Sequence, residues 1–230
     1  MLTSYLPGLA AGAFTTLSVA LLSLALALVL GLAGASARLS RSRPARAVAT
    51  AYVTLIRGVP DLVLMLLLFY GGQRALNAAL AAWGDGRYVD LDPFVAGTLT
   101  IGFVYGAYLS ETFRGAILAV PAGAIEAAQA CGMDRRQVLV RVTGPLMLRH
   151  ALPALSNNWL VMLKSTAIVS VIGLPDLMQR AALAAGATSQ PFLFYGAAAA
   201  MYLAVTAASE TAFRAVDLRL QAGLQGAGAR

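Results

Sequence analysis

The chain has 230 residues, of which 59% are hydrophobic and 12% charged, and its mean hydropathy is +0.74. Soluble domains carry about 25% charged residues, so the composition excludes an ordinary soluble domain and points to a membrane protein. One cysteine, Cys131, excludes an internal disulfide, and with one histidine, His150, it cannot make a metal site.

A bilayer-spanning helix needs ~20 mostly apolar residues. The first predicted span covers residues 9–36, and the second, shorter one covers 60–80 through "LVLMLLLFYGG". Spans three to five are expected at 94–119, 151–174 and 191–213. The predicted fold class is an all-α membrane protein of five transmembrane helices. It is read as a single transmembrane domain over 1–230, without internal repeat. No Lys or Arg precedes Arg38, and a signal peptide needs a basic n-region, so the first helix is expected to be a retained span.

The charges assign a direction. Arg38, Arg41, Arg43 and Arg46 follow the first span without an acid, which by the positive-inside rule makes that loop cytoplasmic. The N-terminus is then outside. The 81–93 loop, with Asp85, Asp90 and Asp92 against Arg87, is also outside. Residues 120–150, with Arg135, Arg136, Arg141 and Arg149, are inside. The 175–190 loop, with Asp176 and Arg180, is outside, and the tail with Arg214, Arg219 and Arg230 is inside. The net charge of +7 is therefore a topology signal, not a nucleic-acid footprint.

The inside stretch "EAAQACGMDRRQVLVRVTGP" (126–145) is the most polar in the chain. Its chemistry predicts two short helices. Pro121 suits a first turn, Glu126 falls within the first two turns near the positive dipole end, and Gly132 ends the helix in the left-handed conformation. Asp134 and Gln137 make a capping pattern for the second helix. Val138, Leu139 and Val142 give that helix an apolar side, and Pro145 is expected to stop it. Two readings are open: an amphipathic interfacial segment, or a docking element for a cytoplasmic partner.

The run Glu126-Ala127-Ala128, then Gly132, Val142 and Pro145, resembles the EAA loop of permease subunits of binding-protein-dependent ABC importers. Val142 stands where the pattern favours Ile, and Gly144 where it favours Leu. "LIRGVPDLVLMLLLFYG" (55–71), "YGAYLSETFRGAI" (105–117) and "NNWLVMLKSTAIVSVIGL" (157–174) are similar to the amino-acid importers of this group. The likeness is to HisQ-type permeases for histidine and lysine–arginine–ornithine, with opine permeases also similar. The resemblance implies a type I ABC importer permease fold, with 121–145 as the coupling loop. Glu126, Ala127, Ala128, Gly132, Arg135 and Arg136 would meet the ATPase. It implies a second permease of the HisM type, a dimer of ATP-binding subunits and a periplasmic solute-binding protein as partners. ATP and Mg would be bound by the ATPase, leaving this chain without a cofactor of its own.

Ionisable groups inside spans are costly and face the bundle interior or a water-filled path. Glu111 has two readings: an i,i+3 pair with Arg114, or a carboxylate that attracts a cationic amino acid. Gly102, Gly106 and Ser110 form a small-residue face beside it, suited to close helix approach. Lys164, the only lysine, could bind a substrate carboxylate or neutralise Glu111 or Glu210; the resemblance favours a structural or gating role. With Asn157, Asn158, Ser165 and Thr166, Lys164 and Glu111 are the candidates for a substrate-lined path. Glu210 and Arg214 are expected to pair at i,i+4. Arg57-Gly58-Val59-Pro60 reads as a turn into the second span, with Pro60 and Asp61 in its first turn.

The sequence contains no P-loop pattern and no metalloprotease or Cys-x-x-Cys motif. Lys164 and Ser165 are adjacent on a helix, about 100° apart, and poorly aimed for a dyad enzyme. A secondary transporter would show more spans and inverted repeats, and a non-conducting scaffold leaves the EAA-like loop unexplained. The expected function is transport: a permease subunit for polar, basic amino acids or opines, in the bacterial inner membrane.

Overall fold

The computed structural model describes residues 2–83 and 87–225, with side chains as far as Arg219. Asp85 and Arg230, two of the charges used for orientation, lie outside the described residues. Among the described residues the regular structure is helical: α1 (Leu2–Leu39), α2 (Arg43–Gly58), α3 (Asp61–Ala82), α4 (Pro93–Leu118), α5 (Ala122–Ala130), α6 (Arg135–Val138), α7 (Gly144–Ser165), α8 (Leu177–Thr188) and α9 (Pro191–Gln225). Five stretches are long and apolar enough to cross a membrane: Leu2–Leu39, Asp61–Ala82, Pro93–Leu118, Arg135–Ile172 and Pro191–Arg219.

The centre of the fold is the pair α1–α4. Ala20, Ala27, Gly31, Gly34 and Ala35 are buried on α1, and Gly102, Gly106 and Ser110 on α4. Gly31, Gly102 and Gly106 each receive a leucine of the opposite helix, and Gly34 receives Ser110. A Cβ on Gly102 would lie 2.7 Å from Leu26, on Gly106 2.8 Å from Leu30, and on Gly31 2.6 Å from Leu109. In lipid, helices gain little from hiding apolar surface, so association depends on such close packing.

α2 is an element the five spans did not include. Ala49, Val53 and Ile56 form its buried stripe at i, i+4 and i+7. The Tyr52 hydroxyl donates to the Phe103 carbonyl of α4 at 2.5 Å. Val59 is extended, as a residue before proline prefers, and the chain turns there into α3.

The fourth span differs from the plain helix expected at 151–174. Pro145 does not stop the loop helix. After α6 the chain widens into a π-helical segment, Leu139–Thr143, in which the Gly144 N–H donates to the Leu139 carbonyl. It then continues directly as α7, with the proline in the first turn. A proline lacks the donor an α-helix would use there, and the wider turn accommodates that loss. At the other end α7 tightens into a 3-10 segment, Thr166–Ile172, and stops at Gly173 with φ +88°.

The expected outer loop at 175–190 is largely helix α8. Asp176 caps it by accepting from the Gln179 N–H at 2.8 Å. Leu177, Ala181 and Ala184 of α8 pack with Leu9 of α1 and Phe194 and Ala198 of α9 in a second apolar cluster.

Candidate coupling loop and transmembrane polar sites

The two-helix corner between α4 and α7 is held by backbone bonds at the end of α5 and by a side-chain cap at the start of α6. Pro121 is the residue before α5 rather than in its first turn, and α5 closes at Cys131. Gly132 is left-handed at φ +81°. The Gly132 N–H reaches the Gln129 carbonyl at 2.9 Å and the Met133 N–H reaches the Ala128 carbonyl at 3.1 Å. That pair of bonds is a Schellman stop. One residue later Asp134 starts α6 with a reciprocal cap: Gln137 N–H to Asp134 Oδ1 at 2.8 Å, and Asp134 N–H to Gln137 Oε1 at 3.0 Å.

Glu126, Ala127, Arg135 and Arg136 are exposed, whereas Ala128 and Val138 are buried. The candidate loop residues therefore divide. Ala128 and Val138 fold the corner on itself, Gly132 sets its angle, and the charged side chains face outward. Leu139 is exposed and Val142 only half-buried, so the expected apolar side narrows to Val138. Glu126 lies in the second turn of α5, since the first turn holds no acid. The dipole effect fades beyond the first turn, leaving Glu126 free for a contact.

Inside the spans the expected cluster comes apart. The Glu111 carboxylate is held on both sides: Oε1 accepts from Arg114 Nη2 at 2.6 Å, and Oε2 pairs with Arg38 of α1. A carboxylate flanked by two guanidiniums is a brace between α1 and α4, not a free attractor for a cation. Asn158 is a packing residue, donating to Thr112 Oγ1 at 3.0 Å and to the Ala154 carbonyl at 2.9 Å. Thr166 is buried and bonds back to the Leu163 carbonyl at 2.6 Å. Lys164 is exposed and has no ion-pair partner among the described residues, so it neutralises neither Glu111 nor Glu210. It borders a separate cavity of about 570 Å³ with Tyr195, Tyr202 and Leu203. Successive positions on a helix point about 100° apart, so neighbours in sequence serve different faces.

Asn157 lines a cavity of about 340 Å³ between α7 and α9, together with Ser156, Glu210, Arg214 and Asp217. The expected Glu210–Arg214 ion pair is not formed among the described residues; both side chains border this cavity instead.

Ser165 belongs to a different group, which the spacing did not reveal. Its Oγ lies 2.7 Å from the Tyr105 hydroxyl of α4. Asp61 of α3, Thr100 and Tyr105 of α4, and Ser165 share the walls of a small cavity. Nearby, Tyr108 stacks on Tyr105 at 5.4 Å and carries the Arg57 guanidinium over its ring at 5.3 Å. Asp61 was legible as an acid opening an apolar span. Its neighbours Tyr105 and Ser165 come from 44 and 104 residues away, which no local pattern records.

The described residues form a bundle of helices with one capped two-helix corner, and no catalytic set is assembled among them. A family model described as "Binding-protein-dependent transport system inner membrane component" matches residues 27–222. The chain belongs to this family.

Among its relatives, the histidine/lysine/arginine/ornithine transport system permease protein HisQ of Escherichia coli (strain K12) is 48% identical over 93% of each chain. The octopine transport system permease protein OccQ of Agrobacterium tumefaciens (strain Ach5) is 41% identical over 81% of this chain and 79% of its own. A crystal structure of an amino acid ABC transporter with histidines matches with a TM-score of 0.80 and 32% identity, covering 95% of this chain and 96% of that one. The expected type I importer permease fold is thus shown. The chain is a multi-pass inner-membrane transport subunit rather than an enzyme.

Proposed function

We propose that this chain is the permease subunit of an ATP-driven importer for basic amino acids or closely related opines. It would span the inner membrane with its N-terminus periplasmic and its C-terminus cytoplasmic. The observation that carries the coupling part is the double-capped corner at 128–137, which presents Glu126, Ala127, Arg135 and Arg136 to solvent. This corner continues through the π-helical segment into α7 without an intervening loop. A push on the corner is therefore a push on a span. The interfacial-segment reading is disfavoured, because only Val138 of its expected apolar side is buried.

In this reading the corner, residues 121–145 of a single membrane domain over 1–230, seats on an ATPase that holds ATP and Mg. A second permease of the HisM type completes the membrane part, and a periplasmic solute-binding protein delivers substrate. The substrate class is supported by the relatives named for histidine, lysine, arginine, ornithine and octopine transport. Asn157, beside Glu210 in the α7–α9 cavity, remains a path candidate, and Lys164 remains one on its own face.

The test is co-expression with candidate HisM-type, ATPase and binding-protein chains, followed by purification and uptake in proteoliposomes. The expected result is a complex containing both permeases and the ATPase that accumulates arginine or histidine only with ATP and binding protein. Uptake without ATP, or no ATPase in the complex, overturns the reading. Orientation is read separately from cysteines at Ser42 and Arg136 in a Cys131→Ser background. Neither site should react with an impermeant thiol reagent added to intact cells.

A further inference from the structure

We propose that the groove between α1 and α8 seats an anionic phospholipid, whose phosphodiester lies on the guanidinium of Arg180.

Tyr5 and Leu9 of α1 and Arg180, Leu183, Ala184 and Ala187 of α8 line this groove, which has a volume of about 290 Å³. Its depth follows from α1. That helix has 38 residues, about 57 Å at 1.5 Å per residue, whereas a bilayer core is about 30 Å thick. The apolar span expected from the sequence begins at Leu9, so Tyr5 to Gly12 straddle its edge. Tyrosine is enriched at that level, and Tyr5 packs edge-on against Phe194 with 5.1 Å between ring centres. With the N-terminus periplasmic, as proposed above, this is the outer leaflet.

Two glycines direct the arginine. A Cβ on Gly12 would lie 2.8 Å from Arg180 Cδ, and one on Gly8 would lie 3.9 Å from its Nη1. The stem therefore crosses α1 at Gly12, and the tip reaches Gly8, one turn nearer the end of the helix. A long basic side chain that runs along apolar surface in this way carries its charge to the headgroups. Its Nε donates to the Pro175 carbonyl at 3.0 Å, which uses one of five N–H donors. No acid pairs with it among the described residues. Asp176, one turn earlier, is 1% exposed and caps α8 instead.

An unpaired guanidinium beside an apolar wall fits one class of neighbour. A phosphodiester accepts from the planar fork of donors, and an acyl chain covers the exposed Leu183 and Ala187. A soluble phosphate would leave both side chains uncovered. A net negative headgroup is favoured over a zwitterionic one, whose own ammonium offsets the phosphate charge.

The experiment places a bimane label at Gly186→Cys in a Cys131→Ser background, since no atom lies within 4 Å of a Cβ at Gly186. The full chain, with the subunits that co-purify, is reconstituted into phosphatidylcholine vesicles. Phosphatidylglycerol or phosphatidylcholine with brominated chains is added at equal mole fraction, and quenching gives their relative association at the label. The expected preference for phosphatidylglycerol is about fivefold, as for one arginine near anionic lipid. Arg180→Gln should bring the ratio close to one, and Arg180→Lys should keep part of the preference. Gly8→Leu, which keeps the charge but fills the groove, should lower it too. A label at Leu99→Cys, exposed near the same end of α4, should show no preference.

Equal association of the two lipids with the otherwise unaltered chain overturns the proposal. So does a preference that survives Arg180→Gln, or one equally large at Leu99. Quenching by neither lipid would mean that protein covers the groove, and this overturns the proposal as well. If Arg180→Gln does not accumulate, Gly8→Leu decides, and an unchanged preference in that variant overturns it.

Discussion

The α1–α4 contact and the corner at 121–143 are stabilised in opposite ways. In the first, glycines and alanines let two long helices interdigitate, with leucines filling the gaps at Gly31, Gly102 and Gly106 and Ser110 the gap at Gly34. In the second, few side chains are buried, and a backbone stop at Gly132 followed by the reciprocal Asp134–Gln137 side-chain cap sets the shape. A membrane pair needs contact area, because lipid gives the helices no reason to hide apolar surface. Water can satisfy the helix ends of an exposed corner, so the caps serve to fix its angle while the outward side chains stay free. The difference teaches where each region is vulnerable: added volume breaks the first, and a wrong backbone conformation breaks the second.

The largest effect is expected from Gly31→Val. Its Cβ would lie 2.6 Å from Leu109 Cβ and 3.1 Å from Leu109 backbone carbon, so the helices must separate. Overpacking costs about 1–3 kcal/mol or more, and the purified chain should show a large fall in thermal midpoint or fail to accumulate. Normal stability would mean that the pair is not the structural centre.

Gly132→Val should act on the corner alone. No atom comes within 4 Å of the added Cβ, so volume is not the issue and the positive φ is. The cost should exceed the ~1 kcal/mol of an ordinary glycine substitution, since a β-branched residue is badly suited there. The chain should insert and bind its permease partner but lose the ATPase in pull-down. Gly132→Asn should keep much of the association, because Asn tolerates the left-handed region. Equal loss with Asn and Val would assign the defect to contact rather than to geometry.

Glu111→Gln tests the polar brace that ties the packed pair together near Arg38. The pair is partly exposed, with side chains 15% and 32% accessible, so the loss should be about 1 kcal/mol. The thermal midpoint should fall, and the ratio of arginine to histidine uptake should stay unchanged. A changed ratio would return Glu111 to the substrate path.

The smallest effect on stability is expected from Glu126→Ala. In the second turn of α5, its dipole contribution falls below the ~0.3–1 kcal/mol seen in first turns. Thermal stability should hold while ATPase pull-down weakens. A fall in stability equal to the loss of association would make Glu126 part of the corner rather than a contact.

The sequence by itself determined the spans, the stop at Gly132, the Asp134–Gln137 cap and the small face at Gly102, Gly106 and Ser110. Each depends on residues within one or two helical turns, where periodicity and end chemistry act. It passed over α2 because Ala49, Val53 and Ile56 are a sparse stripe in a helix too mixed to look like a span. It expected Pro145 to end a helix because proline usually does, whereas the π-helical segment let the helix continue. Only the tertiary structure decided which acid is occupied. Glu111 and Asp61 are both carboxylates in apolar helices; Arg114 at i+3 marks the first partner of Glu111 locally, but nothing in the neighbouring sequence marks the second. Arg38 arrives beside Glu111 from 73 residues away. Ser165 reaches the Tyr105 hydroxyl across 60 residues, at the wall it shares with Asp61. Charge pairing across helices depends on how they cross, and that crossing is set by packing, not by spacing along the chain.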